Sequence, residues 1–439
     1  MFKTLKNGLK TPEIRKKLFY TLFLIAIFRL GCFITVPGVD SAAILEASTN
    51  NGTLSGLLNL FSGGAFQYLS IFAMSISPYI TATIVMQLLG MVIPALERLT
   101  KDGGETGRQK INKYTKILTI VLALVQGIGV YLSYRQYCIN PGLLTGALVV
   151  SGFVAGTSLL MWIGEQITNK GIGNGTSLII FIGIISRLVA VDTLQGIFNR
   201  IVDSNGFSTT GFLTVLGITI GAIILIAAVV FVQQAERRIP VQYSKKVVGR
   251  KMMGAQNTNI PLKPVMAGVM PIIFASSFLT FPAMILQIFK PDVAQATGFW
   301  HVVYSFSAAT TSSSVGWGYT IANIIVYVLL IVGFTFFWTY AMTNPAEISN
   351  TIKKNGGFIP GIRAGKPTTD YLTKVMSKIT VFGGFYLAII AILPMLLRFT
   401  SLDITFGGTA ILIVVGVAIE SIQQLESQLV MRHYKGFLE

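Results

Sequence analysis

Apolar runs separated by polar connections fill most of the chain. A helix needs about 20 mostly apolar residues to cross a bilayer. Ten runs meet or approach that length: Leu18–Val36, Ile71–Ile93, Ile117–Tyr134, Ala147–Ile167, Thr176–Ala190, Gly211–Gln233, Val265–Ile288, Ile321–Met342, Ile379–Leu397 and Gly407–Gln424. They predict an all-α polytopic membrane protein with ten transmembrane helices, the fifth being the shortest. One apolar stretch departs from the pattern. "LLNLFSGGAFQYLSIF", Leu57 to Phe72, follows the uncharged "TNNGTLSG" and carries Ser62, Gly63, Gly64 and Ala65 at its centre. Its first part, Leu57–Phe66, is too short to cross a bilayer.

Ten spans divide as five plus five, residues 1–208 and 209–439. An odd number of crossings in each half sets the second half upside down relative to the first. The second span of each half has a proline early in its run, Pro78 in "AMSISPYITATIVMQLL" and Pro271 in "AGVMPIIFASSFLTFP". A proline within a helix breaks the backbone ladder and frees a carbonyl that needs another partner. That would face these two helices toward protein or a cavity, although prolines are also frequent in membrane helices generally. Two connections, 234–264 and 343–372, are longer than a topology signal requires, and long loops in compact proteins tend to be functional or disordered. The first, with "QQAERRIPVQYSKKVVGRK", suits an extended arm. The second has the tip "IPGIRAG", which would present Arg363 at a turn.

Composition agrees with membrane residence: 52% of the 439 residues are hydrophobic and 12% charged, against about 25% charged in soluble domains. The net charge is +17, and its placement is more informative than its size. With a cytoplasmic N-terminus, 28 of the 34 Lys and Arg residues fall on the cytoplasmic side. Arg135, Arg200, Lys290 and Arg398 lie outside, and Arg29 and Arg187 within spans. Cytoplasmic connections carry the Lys/Arg excess, so both termini are expected in the cytoplasm. The basic N-terminus precedes a run too long for a signal peptide, with no small-residue cleavage site after it, and is read as a retained first helix. Cys32 and Cys138 are too few for a disulfide framework. They lie near the outer ends of spans, where a bridge is conceivable and two small apolar residues are the plainer reading. His301 and His433 are far apart, and no His/Cys cluster suggests a metal.

Little in the chain points to catalysis. There is no G-x-x-x-x-G-K-[ST] sequence, so no nucleotide motor of this type is expected. "KGIGNGTS", Lys170 to Ser177, is a phosphate cradle or, more plainly, a tight turn between two spans. The ionisable residues inside spans are Arg29, Glu165, Arg187 and Glu420. Only Arg29 is deep, and it either pairs with helix carbonyls, snorkels, or marks a substrate site. An ion-coupled secondary transporter, the alternative function, would need a midplane carboxylate. A membrane-embedded enzyme would need a catalytic dyad. The sequence offers neither. The basic loops are either topology signals alone or docking surfaces for RNA phosphates or acidic protein, and their length favours docking.

"SISPYITATIVMQLL", "GEQITNKGIGNGTSLIIFIGI", "ERRIPVQYSKKVVGRK", "AGVMPIIFASS", "NPAEISNTIKKNGGFIPGIRAGKPTTDYL" and "FGGTAILIVVGVAIE" resemble, in order and over nearly the whole chain, the SecY family of bacterial protein-conducting channels. The resemblance implies a multi-pass protein of the bacterial plasma membrane with an hourglass-shaped pore between two inverted five-helix halves. Such a channel passes unfolded secretory polypeptides. It releases membrane segments and signal sequences into lipid through a lateral gate between helices 2 and 7. A pore ring of Ile76, Ile80, Ile180, Ile273 and Ile413 is implied, where an apolar constriction blocks ions by dewetting.

The opening stretch resembles the family's plug, 57–70, with Leu57, Leu60, Phe61, Gly63, Gly64 and Phe66. Gly63 and Gly64 each cost a helix about 1 kcal/mol relative to Ala. The plug and an intruding signal helix would then compete for one site. Thr81, Thr83, Gln87, Ser276 and Ser277 are the implied lateral-gate residues. Arg237, Arg238, Arg250, Lys251 and Arg363 match basic loop positions on which the family docks the translating ribosome or the SecA motor ATPase. SecE and SecG are the implied partner subunits. The chain would be a passive, non-enzymatic pore without cofactors. It departs from the family at Thr176, and the loop Phe289–Thr320 has no strong match.

Overall fold

Each of the ten apolar runs overlaps a helix in the computed structural model. The structure describes residues 10–40, 44, 62–101, 104–188, 202–203, 206–207, 209–243, 246–248, 251–253, 257–266, 268–289, 298–308, 317–397 and 408–435. The ten helices are α1 (Pro12–Gly31), α2 (Ser77–Val92), α3 (Gly104–Tyr134), α4 (Leu143–Lys170), α5 (Gly175–Leu188), α6 (Thr209–Gln234), α7 (Met270–Phe289), α8 (Trp317–Met342), α9 (Lys366–Leu397) and α10 (Gly408–Lys435). Among the described residues, α3, α4, α6, α8, α9 and α10 are long and apolar enough to cross a membrane by length and composition, and α2, α5 and α7 are shorter apolar helices. Shorter helices, Pro94–Lys101, Phe299–Ala308 and Pro345–Lys354, lie between them.

The prolines act differently from expectation. Residues 71–76, assigned from the sequence to the second span, are turns, and α2 begins only at Ser77. Pro78 therefore sits in the first helical turn, where an N–H has no intrahelical partner to lose. Pro271 likewise follows Met270, the first residue of α7. Both prolines start their helices instead of breaking them. The interior break belongs to Pro282, which has no N–H for the Phe278 carbonyl one turn earlier.

Contacts divide the chain into two compact units, one of residues 1–208, 279–320 and 417–439, the other of 209–278 and 321–416. In the first unit, α1 starts with Pro12 at its first helical position and buries Ile14, Thr21, Leu24, Phe28 and Gly31. Their spacings of seven, three, four and three residues form one stripe of a 3.6-residue helix. Phe19, Leu22, Phe23 and Leu30 on other faces are exposed, as a lipid-facing surface would be. The buried stripe of α4 includes Gly156, Leu160, Ile163 and Gly164. A side chain at Gly31 would overlap the Phe72 ring, and one at Gly156 would overlap the Ile71 carbonyl. These two glycines let α1 and α4 close on the turns before α2.

In the second unit the two long loops fold together. The strands among the described residues are β1 (Val202–Asp203), β2 (Gly206–Phe207), β3 (Arg237–Tyr243), β4 (Lys246–Val248), β5 (Lys251–Met253), β6 (Asn257–Leu262) and β7 (Gly357–Phe358), and β3 pairs antiparallel with β6 in register from Arg237↔Leu262 to Gln242↔Asn257. β3 also pairs with β7 (Gly357–Phe358) of the other loop, through Gln242 and Tyr243. Pro240 falls where β3 has no second neighbour, the position at which a strand tolerates a missing N–H. The first loop is therefore a sheet shared with the second, where an extended arm was expected. Ile239, Val241 and Leu262 from the first loop, with Ile352 and Ile359 from the second and Leu372 and Met376 from the start of α9, make its core.

Candidate functional site

Residues 62–76 pack into the first unit as a run of turns before α2. Leu57, Leu60 and Phe61 lie outside the described residues. Ser62 is helical, and Gly63 (φ +64°) and Gly64 (φ +92°) then take left-handed backbone that side-chain-bearing residues rarely adopt. The glycine pair thus opens a run of turns. Ser62 Oγ accepts from Phe66 N at 3.2 Å, and Ala65 N and Gln67 N donate to the carbonyls of Ser62 and Gly64. Farther on, Ile71 N donates to Ile34 O at 2.9 Å and Val36 N to Leu69 O at 3.2 Å. Those bonds tie the segment to the chain just after α1. Phe66 and Leu69 are buried with Val36, Met74, Val130 and Phe153, and the Phe66 ring meets Tyr134 edge-on at 5.6 Å.

Arg29, which the sequence left between three roles, donates from Nη1 to the Gly63 carbonyl at 2.9 Å. Its guanidinium lies 5.4 Å from the centre of the Phe33 ring. A bare arginine at mid-membrane costs about 2.5–3.5 kcal/mol on insertion scales. A hydrogen bond to a charged group returns about 1.5–3 kcal/mol, and a ring face adds to it. The arginine is therefore tolerated because the glycine turn supplies it with a carbonyl. The sequence held the two halves of this pair, a deep arginine and a glycine break, without a link between them.

Of the five ring candidates, Ile76, Ile80 and Ile180 belong to the first unit and Ile273 and Ile413 to the second. Ile76, Ile180, Ile273 and Ile413 are buried, which removes lipid contact as their role; Ile80 is half-buried. Thr81 and Thr83 donate to the carbonyls of Ser77 and Tyr79 at 3.1 and 2.8 Å, and Ser276 to that of Ile273 at 3.0 Å. These three hydroxyls each donate to a carbonyl of their own helix. Gln87 differs, because its Oε1 is buried without a hydrogen-bond partner among the described residues.

The loop module presents its arginines on a firm base. Asn344 caps the short helix Pro345–Lys354 by accepting from Ala346 N at 3.1 Å. Ser349 Oγ donates to Gly365 O at 3.0 Å, and Thr368 Oγ1 donates to Arg363 O at 2.8 Å. Gly361 (φ +81°) and Gly365 (φ +106°) bracket Arg363, whose side chain is exposed. Arg237 and Arg238 are exposed at the start of β3, and Glu236 pairs with Arg238, Nε to Oε1 at 2.6 Å. Lys251 lies on the hairpin strand β5 (Lys251–Met253), opposite Val248; Arg250 is outside the described residues.

In the glycine-rich turn before α5, side chains take up four of the backbone donors. Asn174 Oδ1 accepts from Thr176 N and Ser177 N at 3.1 and 3.4 Å, Thr168 Oγ1 from Gly175 N at 2.9 Å, and Thr21 Oγ1 from Ile172 N at 3.1 Å. It is a capped turn, signalled in sequence by Asn174 one residue before the helix. Glu165 is engaged by Lys116, Nζ to Oε1 at 2.6 Å. Cys32 and Cys138 are separate buried thiols, directed at the carbonyls of Ser62 and Tyr134 at 3.9 and 3.8 Å.

Comparison with known proteins bears on all of these features together. Residues 70–422 match the family model described as SecY. The chain is 41% identical over 456 aligned residues, covering both chains completely, to the protein translocase subunit SecY of Streptomyces scabiei. Among solved structures, it superposes with a TM-score of 0.66 and 20% identity, over 94% of this chain and 92% of the other, on a SecY channel. That structure's plug domain is described as stabilizing the closed state and maintaining a membrane seal. Sec61 in the canine ribosome–channel complex aligns over the same shares with a TM-score of 0.60 and 19% identity.

Proposed function

The chain belongs to the SecY family, and on that premise we propose that it is the central pore subunit of a protein translocase. It passes unfolded secretory polypeptides across the membrane and releases apolar segments into lipid. It is a multi-pass membrane protein and a channel subunit, not an enzyme. The observation that carries this reading is likeness to a translocase subunit over the entire length of both chains. The seated segment, Ser62 to Ile76, supports it, since a passive channel needs a seal that is apolar, close-packed and not part of a continuous helix.

In the finer reading, the two inverted halves, 1–208 and 209–439, flank an hourglass-shaped pore. Ile76, Ile80, Ile180, Ile273 and Ile413 form its constriction. Their side chains offer a passing polypeptide no charge or directional hydrogen bond that would hold it, while excluding ions by dewetting. The plug, 57–70, seats against the ring and yields to an intruding signal segment. Helices α2 and α7 part at the lateral gate, where Thr81, Thr83, Gln87, Ser276 and Ser277 make separation easy to reverse. Energy comes from a partner, the SecA motor or a translating ribosome, docked on Arg237, Arg238, Arg250, Lys251 and Arg363. SecE and SecG complete the complex in the plasma membrane, with both termini of this chain cytoplasmic.

A cross-link tests the pore. In a Cys32→Ser, Cys138→Ser background, a cysteine is placed at Ile80 or Ile273 and a secretory polypeptide with one cysteine is stalled partway across. A disulfide that forms only with a functional signal sequence is the expected result. Its consistent absence, with the polypeptide demonstrably stalled on the complex, would move the path elsewhere and reopen the transporter alternative.

A further inference from the structure

We propose that Arg29 is a positioning residue that latches the seal closed by holding the Gly63 carbonyl. This rests on the reading of residues 57–70 as the plug and assigns that plug its release point. Arg29 lies eleven residues beyond Leu18, which at about 1.5 Å per residue puts it about 16 Å into a hydrocarbon layer about 30 Å thick. There the guanidinium needs an acceptor, and among the described residues no carboxylate pairs with it. The Gly63 carbonyl meets that need at 2.9 Å.

That carbonyl is available for a reason. Its neighbours on either side, Ser62 O and Gly64 O, accept from Ala65 N and Gln67 N. The left-handed turn at Gly63 points the carbonyl between them away from the chain's own donors. The turn also packs on α5, for a Cβ on Gly63 would lie 2.9 Å from Gly183 Cα and 3.2 Å from Arg29 Nη1. An arginine of α1 and a glycine of α5 thus both close on this one glycine.

The position of the grip along the chain gives it a role. Downstream, residues 69–71 are joined by backbone hydrogen bonds to residues 34–36, and Phe66 and Leu69 are buried. Arg29 acts at the boundary between this bolted portion and the plug proper. One charge-assisted hydrogen bond there favours the seated state without making it permanent. When a signal segment displaces the plug, water admitted to the open pore gives the guanidinium a substitute acceptor, so the latch is reversible.

The test uses the full chain in its assembled complex and reads one ratio, export of a precursor with a defective signal over export of the intact precursor. The variants are Arg29→Met, Arg29→Lys, Gly63→Ala and a deletion of residues 57–66. Arg29→Met should raise the ratio about tenfold, the equivalent of one hydrogen bond to a charged group. Arg29→Lys should restore part of the difference, because it keeps charge and donor on a shorter reach. Gly63→Ala should act in the same direction, and the double variant should add little to either single change. An unchanged ratio in Arg29→Met, with a raised ratio in the deletion, would overturn the latch and leave the plug reading standing. No rise in the deletion would overturn the plug reading and the latch with it. If Arg29→Met fails to accumulate, Arg29→Lys and Gly63→Ala decide, and an unchanged ratio in both overturns the latch.

Discussion

Arg29 and Arg363 show what one residue type does in two environments. Arg29 sits where water is scarce and must be answered by a specific carbonyl, so its geometry is set by the turn it meets. Arg363 is in water, its side chain exposed, while its backbone is held by Thr368 and its turn by Ser349. An exposed arginine on a fixed backbone is pre-positioned for a partner and contributes little to folding. Arg363→Glu is therefore expected to reduce translocation at least about tenfold, the effect of losing a charged contact worth 1.5 kcal/mol or more. Abundance and thermal stability in detergent should match the natural chain. Secretion at the natural rate would remove Arg363 from the docking surface. Thr368→Val should act more weakly, because it loosens the turn by about 1 kcal/mol without reversing the charge.

At the level of elements, the prolines sort α2 and α7 apart. Both helices start on a proline in their first turn, but only α7 carries a second one, Pro282, inside it. The contacts also assign α7 to the second unit up to Phe278 and to the first from Leu279. Phe278, whose carbonyl Pro282 leaves without a helical donor, is a soft point of the α7 ladder. Pro282→Ala returns the missing hydrogen bond and removes a penalty of about 3 kcal/mol for proline in a helix interior. A higher melting temperature with slower translocation is expected; faster or unchanged translocation would show that the soft point is not used. The start of α2 was hidden from a hydropathy reading, since "IFAMSI", Ile71 to Ile76, is as apolar as a helix yet folds as turns stacked against Gly31 and Gly156.

For the whole molecule, the asymmetry of Lys and Arg predicts an orientation with Pro141 in an outer connection and Asn355 in a cytoplasmic one. Both positions are exposed. With Cys32 and Cys138 replaced by serine, a membrane-impermeant thiol reagent added to intact cells should label Pro141→Cys and leave Asn355→Cys unlabelled until the membrane is opened. The reverse pattern would invert the topology. The loop module has a consequence at the same scale. Because β7 of one loop pairs with β3 of the other, a partner pressing on Arg363 also loads the sheet that bears Arg237 and Arg238. Docking on the two loops should then behave as one event.

The sequence by itself determined where the apolar helices form and where the exposed basic loops fall. These properties follow from local composition, because bilayer thickness sets run length and clusters of Lys and Arg mark the connections. The glycines around Arg363 were legible for the same local reason. Tertiary structure alone decided what answers Arg29, what caps the turn before α5, and that the two loops share one core. Arg29 meets Gly63 across 34 positions, and Thr21 meets Ile172 across 151. No window of composition joins residues that far apart, and a helix apolar on every side does not show which stripe will be covered until its neighbours are in place.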